Sequence, residues 1–387
     1  MVFAGQSRGR IMNGRFSLIA IGMAGALGSC GVPAPSLSLR SADCDAQFSS
    51  ADVVRSPDVF FMASSMADCR KPELRFAPIR SNALSYGFVT PRGSNDEPWQ
   101  THEAKLLREE DWVETLVDQV NSLGEQQELL IFVHGYRNNF HDGLQRAVTV
   151  RNLYPYAVPT VSIVWPSRKR YLGYIYDASS IGWAQSHIDR LLRRLVHKID
   201  NVTLVAHSMG SRALIGAVER LNLEDEGAAA NIRKIILVSP DVDRDRVLRE
   251  KGSVEALLHG GRSVTIYSSQ EDFPLRTSRR LHGYSRLGSS DCRYSVNYEE
   301  RDRGRYGECH LGPDLPGLSI VETSGAASGG FNRHSDVFDT CIGRADLKAV
   351  LTDEPTPWRE RVEPRDGRTG YRLTQAAYDA ERNDCPR

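Results

Sequence analysis

The chain of 387 residues has room for one large catalytic domain with tails, or at most two small domains. Lys plus Arg and Asp plus Glu both number 49, so no net field draws the chain to nucleic acid or another polyanion. Hydrophobic residues at 40% and charged residues at 25% are an ordinary globular mixture, and scattered Gly and Pro exclude a repeat or low-complexity array.

The N-terminus reads as a targeting segment. Arg8, Arg10 and Arg15 precede a mostly apolar stretch from Phe16 to Leu27. That stretch is shorter than the roughly 20 residues a membrane-spanning helix needs and suits a signal peptide. Leu27-Gly28-Ser29-Cys30 resembles a bacterial lipobox. By that resemblance cleavage leaves Cys30 as the lipidated N-terminus; the alternative is an ordinary secretory signal with a Cys there by chance. The expectation is a lipoprotein signal peptide over residues 1–29, a tether over 30–57, and a membrane-anchored protein on the periplasmic side of the bacterial envelope. Apart from Cys30, six cysteines remain: Cys44, Cys69, Cys292, Cys309, Cys341 and Cys385. An even number suits disulfides in an oxidising compartment. Cys292 and Cys309 flank one polar segment and are a plausible local pair, while the overall connectivity stays open. No cysteine has metal-ligand spacing, so neither a metal nor a cofactor is expected.

Short apolar runs recur along the rest of the chain. They are Asp58–Met62, Tyr86–Val89, Leu129–Val133, Val161–Trp165, Val202–Val205, Ile235–Val238, Val264–Tyr267 and Leu318–Val321. From the third onward they are nearly continuous in hydrophobic residues, as expected of a parallel sheet buried on both faces. Helical spacing of apolar residues appears over Leu106–Leu123, Ile181–Ile199 and Met209–Leu221. The alternation predicts an α/β fold: a doubly wound, mostly parallel, eight-stranded sheet. Ligands of such sheets bind beyond the carboxyl ends of the strands. Residues 273–315 interrupt the alternation and read as a lid-like insertion. The charged, Pro-bearing segment 353–387 reads as a surface extension.

The nucleophile follows from local context. Val202–Val205 is a strand, Ala206-His207-Ser208-Met209-Gly210 a tight turn, and an amphipathic helix follows. Strand, sharp turn and helix are what a nucleophile elbow requires, with small residues where the turn packs closely. Ser208 is the predicted nucleophile, against the plainer reading of a helix-capping Ser. The Met209 N–H lies at a helix N-terminus, suited to an oxyanion. His134-Gly135-Tyr136 ends an earlier strand; Gly135 lets the backbone approach substrate, and the Tyr136 N–H is the second expected donor. His134 reads as structural, and Asn138-Asn139 as loop-orienting or helix-capping residues. The acid in this arrangement follows a later strand and the His comes last. Asp272 is preferred as the acid, with Asp241 in Ser239-Pro240-Asp241 the alternative. His334 is preferred as the base over His282 and His310 because it follows the last predicted strand in a Gly-rich loop. The basic runs Arg168-Lys169-Arg170 and Arg276, Arg279, Arg280 read as solvated faces, with contact to an acidic substrate as the alternative.

His134-Gly135-Tyr136, Trp165-Pro166-Ser167, Ala206-His207-Ser208-Met209-Gly210, Ser239-Pro240-Asp241-Val242-Asp243 and Arg286-Leu287-Gly288 occur in one order. Together they resemble a bacterial α/β-hydrolase family of largely undefined function whose members are often exported or membrane-associated. The resemblance covers residues 58–352 and implies a triad of Ser208, Asp272 and His334. It does not cover the Cys-bearing insertion or the C-terminal extension, and it supplies no substrate. The resulting expectation is a serine hydrolase acting on a small-molecule or lipid acyl substrate, with a membrane contact through its lipid anchor and no nucleic-acid partner. The alternative is a non-catalytic envelope-binding lipoprotein that keeps a hydrolase fold.

Overall fold

The computed structural model describes residues 44, 48–55, 58–69, 74–90, 104–170, 173–291, 301, 309–326, 332–381 and 385–386. The chain divides into two compact units, Met1–Leu39 and Arg40–Arg387, and the described residues all belong to the second. The expected signal peptide, Cys30 and Cys292 lie outside the described residues.

Among the described residues twelve strands form one sheet. In chain order they are β1 (Val59–Asp68), β2 (Arg75–Val89), β3 (Lys105–Leu107), β4 (Leu129–Val133), β5 (Thr160–Val164), β6 (Val202–His207), β7 (Ile232–Val238), β8 (Ser263–Ser268), β9 (Gly312–Pro313), β10 (Leu318–Glu322), β11 (Arg359–Arg365) and β12 (Arg368–Leu373). Across the sheet the order is β11-β12-β10-β8-β7-β6-β4-β5-β1-β2-β3, with β9 paired to β12. The run from β12 through β10, β8, β7, β6, β4 and β5 to β1 is parallel throughout. The antiparallel strands β2, β3, β9 and β11 lie at its margins.

All eight predicted runs fall in strands, but the predicted total of eight is corrected to twelve. Because side chains alternate faces along a strand, a run without polar positions is buried on both sides. In β4, Leu129, Ile131 and Val133 enter one hydrophobic cluster, while Leu130 and Phe132 enter the cluster on the other side. The first is covered by α1 (Glu109–Asn121), through Trp112 and Leu116. The second receives α2 (Phe140–Arg151), through Ala147 and Val150. Returning to the first side, α3 (Tyr174–Val196) adds Ile181, Ile188 and Leu195, and α4 (Gly210–Glu224) adds Leu214 and Val218. The predicted helix at Leu106 begins later than its pattern suggested, because Leu106 and Leu107 belong to β3 and only Glu109 onward is helical.

The segment after Thr352 is not a surface extension. It supplies β11 and β12, and β12 joins the sheet parallel to β10 with Val321 opposite Tyr371. Trp358, Leu373 and Tyr378 are buried. Asp346, on the helix Cys341–Thr352, is fully buried and accepts from Tyr267 Oη at 2.7 Å, Trp358 Nε1 at 2.8 Å and Arg359 at 2.6 and 2.7 Å. A disulfide joins Cys341 to Cys385, and a second joins Cys44 to Cys69. Cys309 is also disulfide-bonded. The start of the predicted lid is regular structure, α5 (Phe273–His282), followed by a turn in which Leu287 and Ser289 are fully buried. Among the described residues no helix is long and apolar enough to cross a membrane.

Candidate active site

Ser208, Asp241, Asp272 and His334 each come after the carboxyl end of a parallel strand. Ser208 follows β6 with φ of +52°, a left-handed conformation that a non-Gly residue adopts at a cost. The turn is held from both sides: Ser208 N–H donates to Val238 O at 2.9 Å, and Ser208 O accepts from Asp241 N–H at 3.0 Å. The small residue at the end of the motif has a measurable reason. A Cβ on Gly210 would lie 2.5 Å from His134 O and 2.8 Å from Val133 O, so α4 starts against the end of β4.

The same close approach brings the His-Gly-Tyr loop to Ser208. A Cβ on Gly135 would lie 2.8 Å from the Ser208 Cβ and 3.0 Å from His207 Nδ1. The Met209 N–H begins α4, where first-turn N–H groups have no helical acceptor, and the Tyr136 N–H sits one residue beyond Gly135. His134 is fully buried and structural, as its position suggested. Its Nε2 accepts from Trp165 N–H at 3.2 Å, its Nδ1 lies 2.9 Å from Gly135 O, and its ring stacks on Trp165 at 5.0 Å. Burial pushes its pKa down to about 4, so the ring is neutral. The loop is anchored further by Asp177, which accepts from Ser167 Oγ at 2.5 Å, Arg168 N–H at 2.8 Å and Arg137 N–H at 3.4 Å. That contact gives the Trp165-Pro166-Ser167 motif its role: it ties the end of β5 to the loop carrying Tyr136. Asn139 caps α2 in a reciprocal box with Asp142.

Asp272 and His334 meet. His334 Nδ1 is 2.7 Å from Asp272 Oδ2, although 62 residues separate them. Asp272 is fully buried, and its other oxygen caps α5 by accepting from Leu275 N–H at 2.9 Å. One carboxylate oxygen therefore fixes the side chain and the other fixes the imidazole. Burial pushes the His334 pKa down, but the Asp272 carboxylate outweighs burial and holds it above its ordinary value. Burial raises the Asp272 pKa, and His334 pulls it back. The His334 ring lies 4.9 Å from the His207 ring, which burial keeps neutral with a pKa well below the usual imidazole range. Among the described residues no hydrogen bond yet joins Ser208 Oγ to His334; contacts of this kind tighten when substrate binds.

Asp241 is placed differently. Its Oδ1 accepts from Ser278 Oγ at 2.6 Å and Arg286 Nε at 2.7 Å, and its Oδ2 accepts from Tyr174 Oη at 2.7 Å and Arg212 at 2.8 Å. Two donors on each oxygen leave no room for an imidazole. Burial alone would raise its pKa, but Arg212 and Arg286 overcome that and hold the carboxyl well below the usual range. Here the Arg286-Leu287-Gly288 and Ser239-Pro240-Asp241 motifs explain each other. A Cβ on Gly288 would lie 2.3 Å from the Ser239 carbonyl carbon, and Gly288 N–H donates to Pro240 O at 2.9 Å. Tyr174, Arg212, Ser278 and Asp177 escape sequence reasoning, since each sits in an unremarkable helical pattern. His282 bonds the Ser278 carbonyl at 2.9 Å, and buried His310 lies outside the pocket lining. Of the basic runs, Arg279 is buried against Asp291 rather than solvated, while Arg280 is exposed.

Ser208 and His334 line one cavity of about 1210 Å³, together with Tyr136, Tyr174, Phe273 and Leu281. Among the described residues no group of three or more His, Cys, Asp or Glu side chains is arranged to hold a metal ion.

No curated protein matches the sequence. Several solved structures resemble the chain distantly, three of which illustrate the likeness. A Pyrobaculum calidifontis esterase is 11% identical, with 78% of this chain and 86% of that one covered and a TM-score of 0.32. A Rhizomucor miehei esterase is 11% identical over 78% and 85%, with a TM-score of 0.32. A proposed cell surface hydrolase of Lactobacillus plantarum is 13% identical over 59% and 93%, with a TM-score of 0.31. These likenesses are too remote to bear on substrate. A family model described as an alpha/beta hydrolase of unknown function, DUF900, matches residues 109–309, more than half of the chain. That span holds the oxyanion-type loop, the elbow and both candidate acids, and the chain belongs to the DUF900 α/β-hydrolase family.

Proposed function

We propose that the chain is a serine hydrolase of the bacterial envelope that cleaves an ester, thioester or related acyl bond with Ser208, His334 and Asp272. The observation that carries this reading is the 2.7 Å contact between His334 and a fully buried Asp272, at the edge of the cavity that also holds Ser208. Asp272 accepts from Nδ1 and so leaves the Nε2 lone pair for the Ser208 proton. Ser208 Oγ attacks the acyl carbon, the Tyr136 and Met209 N–H groups receive the developing oxyanion, and His334 returns its proton to the leaving group. Water, deprotonated by His334, then releases the acid and frees Ser208.

The envelope location rests on the Leu27-Gly28-Ser29-Cys30 pattern and on disulfides such as Cys44–Cys69, which suit an oxidising compartment. In that reading Cys30 carries the lipid and anchors the protein to the membrane. Radiolabelled palmitate should enter the wild type and not Cys30→Ala. The catalytic reading is tested with a fluorophosphonate probe and p-nitrophenyl esters. Labelling and hydrolysis should both vanish in Ser208→Ala. A Ser208→Ala protein that hydrolyses at the wild-type rate would sink the assignment, and absence of labelling in the wild type would favour a non-catalytic lipoprotein.

A further inference from the structure

The two walls above Ser208 differ in chemistry. One is built by the start of α3 and by α5. On α5, Phe273, Thr277 and Leu281 recur every four residues and so share one helix face. Seven large hydrophobic side chains stand exposed among the described residues. Three of them line this cavity: Ile175 at 79%, Phe273 at 54% and Leu281 at 61% exposure. Single exposed apolar side chains need no explanation, but three gathered at the mouth of one pocket do. Tyr136 and Tyr174, with ring centroids 5.6 Å apart, line the same cavity and add aromatic surface to it.

The part of the lining drawn from α2 and residues 332–344 is mostly polar, and several of its charges are matched. Lys169 pairs with Asp142 at 2.9 Å, Arg146 with Asp339 at 3.0 Å and Arg333 with Asp336 at 2.6 Å. Discrimination therefore falls to the apolar wall. The cavity also exceeds the roughly 300–1,000 Å³ of pockets that hold drug-sized ligands, which leaves length for an extended chain.

We propose that Ile175, Phe273 and Leu281 form an acyl-chain subsite, and that the substrate is an ester whose acyl chain runs from Ser208 past Tyr136 and Tyr174 along this rim. The proposal rests on the reading of Ser208 as the acylated nucleophile. It places the acyl part, not the alcohol part, against the apolar wall.

The test compares p-nitrophenyl butanoate and octanoate, below their micelle concentrations, with the full-length protein and with Ile175→Ser/Leu281→Ser. A fully buried methylene is worth about fourfold and a half-buried one about twofold, so four methylenes predict a kcat/KM ratio on the order of 15 in the wild type. The double variant should bring that ratio below about 3, judged by the same per-methylene arithmetic. Both side chains are more than half exposed, so an unchanged thermal midpoint is expected. The ratio, not the absolute rate, is the readout. A ratio near one in a wild type whose Ser208 takes the probe would overturn the proposal while leaving the hydrolase reading intact. So would an unchanged ratio in the variant, including one that loses binding to phosphatidylcholine vesicles, since the rim would then serve a membrane. A wild type that takes no probe and cleaves neither ester would instead bring down the hydrolase reading on which the proposal stands.

Discussion

Asparagine at position 272 separates the chemistry of Asp272 from its structural duty. Asp272 Oδ1 caps α5 by accepting from Leu275 N–H, and Oδ2 accepts the hydrogen bond of His334 Nδ1. Asn caps helices about as well as Asp, so Asp272→Asn should change stability by less than about 1 kcal/mol. At Oδ2, however, an NH2 donor now faces Nδ1. The imidazole must present a lone pair there and carry its proton on Nε2, where it cannot accept the Ser208 proton. Loss of this kind in a Ser-His-Asp arrangement is about 10⁴-fold in kcat, or roughly 5 kcal/mol of barrier. Asp241→Asn predicts the converse. It removes the negative charge facing buried Arg286 and partly buried Arg212, so stability should fall by about 3–5 kcal/mol, while kcat falls far less. Urea unfolding gives the stabilities and p-nitrophenyl ester turnover gives kcat. The reasoning fails if Asp272→Asn keeps more than about a tenth of wild-type kcat, or if Asp241→Asn loses as much kcat as Asp272→Asn at unchanged stability.

The remaining predictions concern pH, the loop and the C-terminal segment. His334 must be neutral to act as a base and its pKa is raised, so the acid limb of kcat/KM should be centred above the ordinary imidazole value of 6.5; a limb at or below that value counts against the Asp272 contact. The depressed pKa of Asp241 contributes stability that is present above its ordinary value of 3.8 and disappears as pH falls through its folded-state value, a loss that acid titration of the unfolding free energy should record in the wild type and not in Asp241→Asn. Gly135→Ala forces a methyl group to within 2.8 Å of the Ser208 Cβ and should lower kcat by about 10²-fold or more, with the unfolding midpoint read alongside to separate misplacement from unfolding. Deleting the chain after Thr352 removes β12 from β10 and exposes the partners of Trp358 and Leu373, so a truncated protein should lose cooperative unfolding by circular dichroism. The Cys341–Cys385 bond spans 44 residues, and its removal by double Ser substitution should cost about 2–4 kcal/mol.

The sequence by itself determined what depends on neighbours in the chain. A five-residue unbroken apolar run such as Leu129–Val133 suits a strand covered on both faces and is too short for a buried helix, and the small residues in Val202–Gly210 allow its sharp turn. The sharp turn at Ser208 and the His-Gly-Tyr loop at the end of β4 are legible for that reason. The C-terminal hairpin is hard to read because its edge strand Arg359–Arg365 is charge-rich and Arg368–Leu373 has no continuous apolar run. Its legible signal was Asp366-Gly367, whose positive φ values of 49° and 69° make the tight turn.

Only the tertiary structure decided what depends on distant contacts. Strand order favours Asp272 over Asp241, but what each carboxylate touches is set by the fold alone. The choice lies in the four donors that converge on Asp241 from Tyr174, Arg212, Ser278 and Arg286, and in the loop that carries His334 across 62 residues to Asp272. The pairing of Ser239-Pro240-Asp241 with Arg286-Leu287-Gly288, and of Trp165-Pro166-Ser167 with Asp177, likewise exists only where the chain has folded back on itself. Burial then separates the two carboxylates: Asp241 is enclosed with two cations, and Asp272 with a single imidazole.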